Sequence, residues 1–203
     1  MASSTPIKLE PIDIDTEREV VDEIKAQAFI NHWTDQLRKH KATIPPEETT
    51  SEEVVLCDRI QLTGKSYIAE AAKIIATFLT DPFEGGPPIA RGIVEARLDD
   101  IIASRLTEEG LEVLQTVCDA FAGSNLVGVD LSDNAIGEQG IGACTTVLSK
   151  KTLERLALCN NGLSMETMGQ VADILVADED GTGCIASGLT KIHFFNNMSG
   201  EGG

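Results

Sequence analysis

The sequence predicts an α/β solenoid in which short parallel strands alternate with helices. Two observations predict it. A segment of the form L-x-L-x-x-N recurs along the chain, and stretches with the apolar spacing of a helix lie between its copies. Aromatic residues also make up only 4% of the chain, so the core must be built from Leu, Ile, Val and Ala, which suits thin repeated layers.

Each repeated segment is an alternating strand that runs into a turn. The clearest copies are Val129-x-Leu131-x-x-Asn134, Leu156-x-Leu158-x-x-Asn161 and Ile192-x-Phe194-x-x-Asn197, with weaker copies beginning at Ile60 and Ala96. One strand-turn-helix unit has too small an apolar face to fold alone, whereas stacked units bury a continuous core. The fold class is therefore a leucine-rich-repeat solenoid of the ribonuclease-inhibitor-like kind, with a concave parallel sheet and outer helices.

The first 50 residues lack this repeat. Residues 1–15 mix Pro, Ser and acidic residues and are expected to be disordered. Thr16 and Glu19 fit a capping box, which predicts a helix from Thr16 to about His40, before Pro45 and an acidic linker. We therefore expect residues 1–50 to be a tail, a helix and a linker. Residues 51–203 would form the repeat domain, which we expect to be incomplete at its C-terminal end.

Four further helices are predicted between the strands. Their apolar spacing covers residues 70–79, 107–122, 141–148 and 165–176. Thr107 and Ser164 are predicted N-caps, and Gly123 lies where a C-cap glycine would.

The asparagine that ends each clear repeat has a structural interpretation. Asn134, Asn161 and Asn197 can hydrogen-bond backbone groups of the adjoining turn that burial would otherwise leave without partners. We expect these three residues to form a ladder. Lys65 and Ile101 occupy the equivalent position in the weaker repeats and should interrupt it.

Charge and composition exclude several classes of function. Lys and Arg number 16 against 33 Asp and Glu, a formal charge of −17, so the surface should repel nucleic acid and anionic membranes and favour partners with basic patches. No apolar run has the length of a membrane span, and the N-terminus has no signal core. Five cysteines without metal-ligand spacing indicate buried free thiols in a reducing, cytoplasmic setting.

No catalytic motif was found. The chain has no phosphate-binding loop, nucleophile elbow or H-E-x-x-H motif, so we expect no cofactor, no metal and no active site of its own. Asp130 and Asp133, with Asp99 and Asp100 one repeat earlier, could form an acidic patch. We interpret this patch, and Asp133 in particular, as a partner-binding surface in preference to a metal site.

Asn160 precedes the ladder residue Asn161 and is not needed for the ladder. It lies just past a strand, where side chains point outward at the rim. An exposed carboxamide on a rigid mount both donates and accepts, which is what orienting a glutamine or a water in another protein's active site requires. The alternative is an ordinary turn asparagine.

Three segments together resemble the Ran GTPase-activating proteins. They are Leu131-Ser-Asp-Asn-Ala-Ile-Gly-Glu-Gln-Gly-Ile141, Leu156-Ala-Leu-Cys-Asn-Asn-Gly-Leu-Ser164 and Phe194-Phe-Asn-Asn-Met-Ser-Gly-Glu201, the last being similar to the plant-type version. Asp99-Asp-Ile-Ile-Ala-Ser-Arg-Leu-Thr-Glu-Glu109 resembles a further family segment. This ordered series is more specific than any one repeat.

The resemblance implies a GTPase activator that binds Ran in its GTP form and acts in trans, in the cytoplasm or at the nuclear envelope. It also implies that Asn160 matches the asparagine that positions Ran's catalytic glutamine, and that Arg105 matches an arginine important for activity, at the partner interface. Ser104 replaces a family glycine, Thr107 stands where the family has a lysine, and the plant family's Trp-Pro-Pro signature is missing. The alternative function is a non-catalytic leucine-rich-repeat scaffold that binds protein.

Overall fold

The computed structural model describes residues 5–12, 18–45, 54–178, 181–198 and 200. Within them the strands are β1 (Ile7–Leu9), β2 (Val20–Val21), β3 (Cys57–Gln61), β4 (Ser66–Tyr67), β5 (Glu95–Arg97), β6 (Gly128–Asp130), β7 (Arg155–Ala157) and β8 (Lys191–His193). The helices are α1 (Glu23–Lys41), α2 (Ala69–Thr80), α3 (Thr107–Asp119), α4 (Ile141–Leu148) and α5 (Met165–Val176), with short 3-10 helices at Ile89–Gly92 and Ile185–Ser187.

One parallel sheet runs through the whole stack. Its strand order is β1-β3-β5-β6-β7-β8, and every neighbouring pair is parallel. Among the described residues, one α-helix lies between each strand of this sheet and the next, and these helices pack side by side in chain order. A smaller parallel pair joins β2 to β4. This alternation confirms the predicted α/β leucine-rich-repeat fold.

The core follows from the alternation of side chains along each strand. One residue from each of four adjacent strands lies in the same register row and is at most 4% exposed, namely Ile60, Ala96, Val129 and Leu156. They pack against the apolar sides of the helices in one continuous cluster. Ile192 continues this row on the edge strand β8, where it is 43% exposed.

The expectation of a disordered tail was wrong for the strand β1. Ile7 donates its backbone N–H to the Leu56 carbonyl at 3.1 Å, and Leu9 is fully buried in the core. The strand is only three residues long, and its local composition does not predict it. It is stabilised by hydrogen bonds to β3 and by burial of Leu9, which come from the tertiary structure.

The predicted capping box was also wrong. Helix α1 begins at Glu23, and the Asp22 carboxylate caps it by accepting the Lys25 N–H at 2.9 Å. Glu19 instead lies beside strand β2, and its carbonyl accepts the Ser66 N–H at 2.9 Å. Thr16 and the predicted linker lie outside the described residues. The helix packs on α2, with the buried Trp33 ring 5.9 Å from that of Phe78.

The later helices were predicted more closely. Helices α4 and α5 have the predicted limits, and Ser164 caps α5 by accepting the Thr167 N–H at 3.2 Å. Thr107 is not an N-cap, because Leu106 holds that position without a side-chain hydrogen bond. Gly123 is not a C-cap either, since α3 ends earlier, at Asp119.

The cysteines are free thiols, and four of the five are buried. In the part of the chain that the structure describes, no helix combines the length and hydrophobicity that crossing a membrane requires.

Candidate partner-binding rim

A row of left-handed residues lies where the sheet strands run into their turns. Gly64, Asp100, Asp133, Asn160 and Asn196 hold equivalent positions in five successive repeats, and their φ angles lie between 55° and 73°. Glycine, asparagine and aspartate are the residues that tolerate this conformation best. The left-handed backbone at position 160 by itself favours an asparagine. This agrees with the alternative from the sequence, an ordinary turn asparagine. We call these five residues the left-handed row.

The ladder asparagines directly follow the left-handed row and point inward. Each carboxamide oxygen accepts the N–H of the equivalent residue one repeat earlier. Asn134 accepts from Ile101 at 2.9 Å, Asn161 from Asn134 at 2.9 Å, and Asn197 from Asn161 at 3.0 Å. These bonds link four repeats in one direction through the buried side of the turns.

The ladder amide nitrogens donate to carbonyls at the strand ends of the preceding repeat and, for Asn134 and Asn197, of their own repeat. Asn134 donates to Leu98 and Leu131, Asn161 to Leu131, and Asn197 to Leu158 and Phe194, at distances of 2.7–3.0 Å. The series stops at Ile101, which has no carboxamide with which to continue it. At the next position, Lys65 is fully buried and forms an ion pair with Glu19 at 3.3 Å.

The Asn160 side chain lies along the rim and hydrogen-bonds to its neighbours in the left-handed row. Its Nδ2 donates to the Asp133 carboxylate at 2.7 Å, and its Oδ1 accepts from Asn196 Nδ2. Its backbone N–H donates to the Phe195 carbonyl at 3.2 Å. The half-buried carboxamide is thus bonded to neighbouring side chains and not to its own turn.

A groove of about 590 Å³ opens beside this carboxamide. It brings all three proposed site residues, Asn160, Arg105 and Asp133, to one surface. Its lining includes Arg18, Asp99, Asp100, Arg105, Asp133 and Asn160. A partner that entered this groove would meet the Asn160 carboxamide, two guanidinium groups and several carboxylates.

Arg105 is less exposed than a free surface arginine. Its side chain is 16% exposed, its Nε donates to Ser66 Oγ at 3.1 Å, and its guanidinium lies 3.7 Å from the Glu109 carboxylate. These contacts join the start of α3 to strand β4. The preceding Ser104 has a φ of 64°, which explains why a glycine would suit that position.

The acidic patch is partly neutralised by nearby arginines. Arg97 forms an ion pair with Asp99 at 3.0 Å, and Arg18 pairs with Asp100 through both Nε and Nη2. Asp133 is exposed and holds the Asn160 amide. Among the residues that the structure describes, no cluster of His, Cys, Asp and Glu is arranged to hold a metal ion.

Two residues of this rim were not identified from the sequence. Arg18 lies next to the N-terminal tail, and no motif marks it. Asn196 had a usable signal, because Asn160-Asn161 and Asn196-Asn197 are the same dipeptide at the same point of consecutive repeats.

Two curated proteins of Arabidopsis thaliana are similar to the chain. RAN GTPase-activating protein 1 is 37% identical over 101 residues, which cover 49% of this chain and 18% of that protein. RAN GTPase-activating protein 2 is 44% identical over 63 residues, which cover 30% of this chain and 12% of that protein. No protein-family model matches the chain.

The chain thus spans less than a fifth of the length of the curated relatives that it matches. The chain is similar to the Ran GTPase-activating proteins over about half of its length. This similarity confirms the resemblance that the repeat segments predicted.

Proposed function

We propose that the chain accelerates GTP hydrolysis by the small GTPase Ran, acting in trans on the GTP form. The observation that carries the proposal is the Asn160 carboxamide, held at the rim by two neighbouring side chains beside an open groove. The similarity to the two Arabidopsis proteins supports the choice of Ran as the partner. A cytoplasmic location, or more narrowly the nuclear envelope, belongs to the same proposal.

In phosphoryl transfer, a protein contributes mainly by positioning groups and by stabilising charge. The nucleotide and its metal ion would belong to Ran, so the chain would need no cofactor. Asn160 would donate to or accept from the glutamine or the water that attacks the γ-phosphate. A fixed carboxamide loses little freedom when it does so, because its neighbours already hold it.

Arg105 would support the interface and would not reach the phosphates. Its guanidinium is held between Ser66 and Glu109, and little of it is exposed. Arg18 is half exposed on the same groove and would offer the more accessible cation to an acidic group of the partner.

The test is to mix Ran loaded with GTP with the chain and to measure phosphate release. We expect the chain to accelerate release, and the exposed loop variant Asn125→Gly to accelerate it equally well. Binding of Ran without acceleration would instead identify a non-catalytic scaffold. The absence of both binding and acceleration would contradict the proposal.

A further inference from the structure

Three consecutive members of the left-handed row form a hydrogen-bonded chain of side chains. Asn196 Nδ2 donates to Asn160 Oδ1, and Asn160 Nδ2 donates to the Asp133 carboxylate at 2.7 Å. All three residues have φ angles of 55–61°, so their side chains leave the rim from the same backbone geometry.

We propose that Asp133 and Asn196 are positioning residues that set which end of the Asn160 carboxamide faces each neighbour. This inference rests on the proposed function for its meaning in catalysis. An ionised carboxylate can only accept hydrogen bonds, whereas an amide has a donor end and an acceptor end. Asp133 therefore fixes the donor end of Asn160 on its own side, and Asn196 must donate to the acceptor end.

The reverse orientation would be unfavourable at the Asp133 contact, where it would place the Asn160 oxygen against the carboxylate. At Asn196 it would leave two amide nitrogens facing each other unless the Asn196 carboxamide turned as well. The backbone also resists movement, because the N–H groups of Asp133 and Asn160 donate to the carbonyls of Cys159 and Phe195 at 2.9 and 3.2 Å.

This orientation decides what a partner meets. One N–H and one oxygen lone pair of Asn160 are used within the chain of side chains, which leaves one N–H and one lone pair in a fixed sense for the partner. The repeats themselves do not require such a chain, since Gly64 holds the equivalent position with no side chain and Asp100 pairs with Arg18.

The deciding experiment reverses the polarity of the row. The variants are Asp133→Asn, Asn196→Asp and the double variant that carries both changes. All keep residues suited to the left-handed conformation. The double variant can satisfy every hydrogen bond again, but only with the Asn160 carboxamide turned around. Phosphate release from Ran and the thermal midpoint are measured for each.

We expect Asn196→Asp, in which two carboxylates compete for the Asn160 N–H groups, to lose roughly 10- to 100-fold of the acceleration at saturating protein. Asp133→Asn should lose only about two-fold, because its carboxamide can accept from Asn160 in the original orientation or donate to it in the reversed one. The double variant should regain the wild-type thermal midpoint while its acceleration stays low. Recovery of wild-type acceleration in the double variant would overturn the proposal, because the orientation of the carboxamide would then be irrelevant.

A second measurement does not depend on Ran. The side-chain amide resonances of Asn160, assigned by their loss in Asn160→Gly, should shift in Asp133→Gly, which removes the acceptor of the Asn160 amide, while those of Asn125 should not. Asn160 resonances that are the same in Asp133→Gly and in the wild type would overturn the positioning proposal. If the wild-type chain fails to accelerate Ran but the resonances do shift, the proposed function fails and the orientation stands.

Discussion

Arg155 reaches across an entire strand to pair with Glu95. The two residues lie on β7 and β5, and Gly128 holds the register position between them on β6. A Cβ atom at Gly128 would collide with the Glu95 carboxylate, so only glycine leaves room for this contact. Glycine at position 128 therefore lets the Glu95 carboxylate lie over β6, where it meets Arg155.

Gly128→Ala should uncouple this pair. The Arg155 side chain is 41% exposed and the Glu95 side chain 34% exposed, so water screens the pair. We therefore expect a coupling free energy of only about 0.5 kcal/mol in the wild-type chain. A double-mutant cycle with Glu95→Gln and Arg155→Gln measures it from urea unfolding. Equal coupling in the Gly128→Ala background would contradict the steric explanation.

Asn161→Ala should be strongly destabilising. The change leaves the buried Asn134 N–H without the partner that Asn161 supplies, and it removes one of the two amide donors to the Leu131 carbonyl. One buried N–H without a partner, together with the lost donor, should lower the free energy of unfolding by about 1–3 kcal/mol in urea. Asn160→Gly, one residue away, should cost under about 1 kcal/mol. Similar losses in both variants would mean that Asn161 has no special role in the ladder.

Stability should fall at acidic pH partly through Glu19. A hydrogen bond from Lys25, helped by the buried Lys65, holds the Glu19 pKa below its usual value. Because the folded pKa is the lower one, the stabilisation is fully present above the unfolded pKa of Glu19. It is lost as the pH falls through the folded pKa.

The Glu19 prediction is tested with Glu19→Gln. The difference in unfolding free energy between this variant and the wild type should shrink as the pH falls from about 7 to about 3. Glu138→Gln, an exposed loop variant, serves as the control. A difference that does not change with pH would contradict the role of this ion pair.

Cysteine reactivity should follow burial. Burial raises the pKa of the Cys57 thiol to about 12, and a hydrogen bond with Cys144 together with burial raises that of Cys118. Since the thiolate is the reactive form, both should resist iodoacetamide in the folded chain. Cys184 is only half-buried and should be alkylated first, as peptide mass spectrometry would show. Early labelling of Cys57 would contradict the packing of β3.

The repeat architecture could be predicted because its signal recurs. Each copy of the L-x-L-x-x-N segment repeats the same strand and turn, so weak local propensities add up along the chain. The limits of α4 and α5 were clear for the same reason. The strand β1 was missed because three residues among prolines and acidic residues give no periodicity, and because pairing with β3 and burial of Leu9 stabilise them.

The rim could be predicted only in part. Asn160 follows from its place beside a ladder residue, but its hydrogen bonds join residues 27 and 36 positions away. Arg18 hydrogen-bonds to Asp100, 82 residues away, and Arg105 hydrogen-bonds to Ser66, 39 residues away. Such pairs depend on how the repeats stack, which the spacing within one repeat does not specify.

In the proposed function, the Asn160 carboxamide acts on the partner. A single-turnover assay of GTP hydrolysis by Ran, with the wild-type chain and with Asn160→Gly, tests this role directly. Gly64 shows that glycine fits this backbone conformation, so the substitution removes the side chain without adding strain. We expect acceleration to fall by roughly 100- to 1,000-fold at saturating concentration while binding of Ran persists. An Asn160→Gly variant that accelerates hydrolysis as fast as the wild type would show that this carboxamide does not act on the partner.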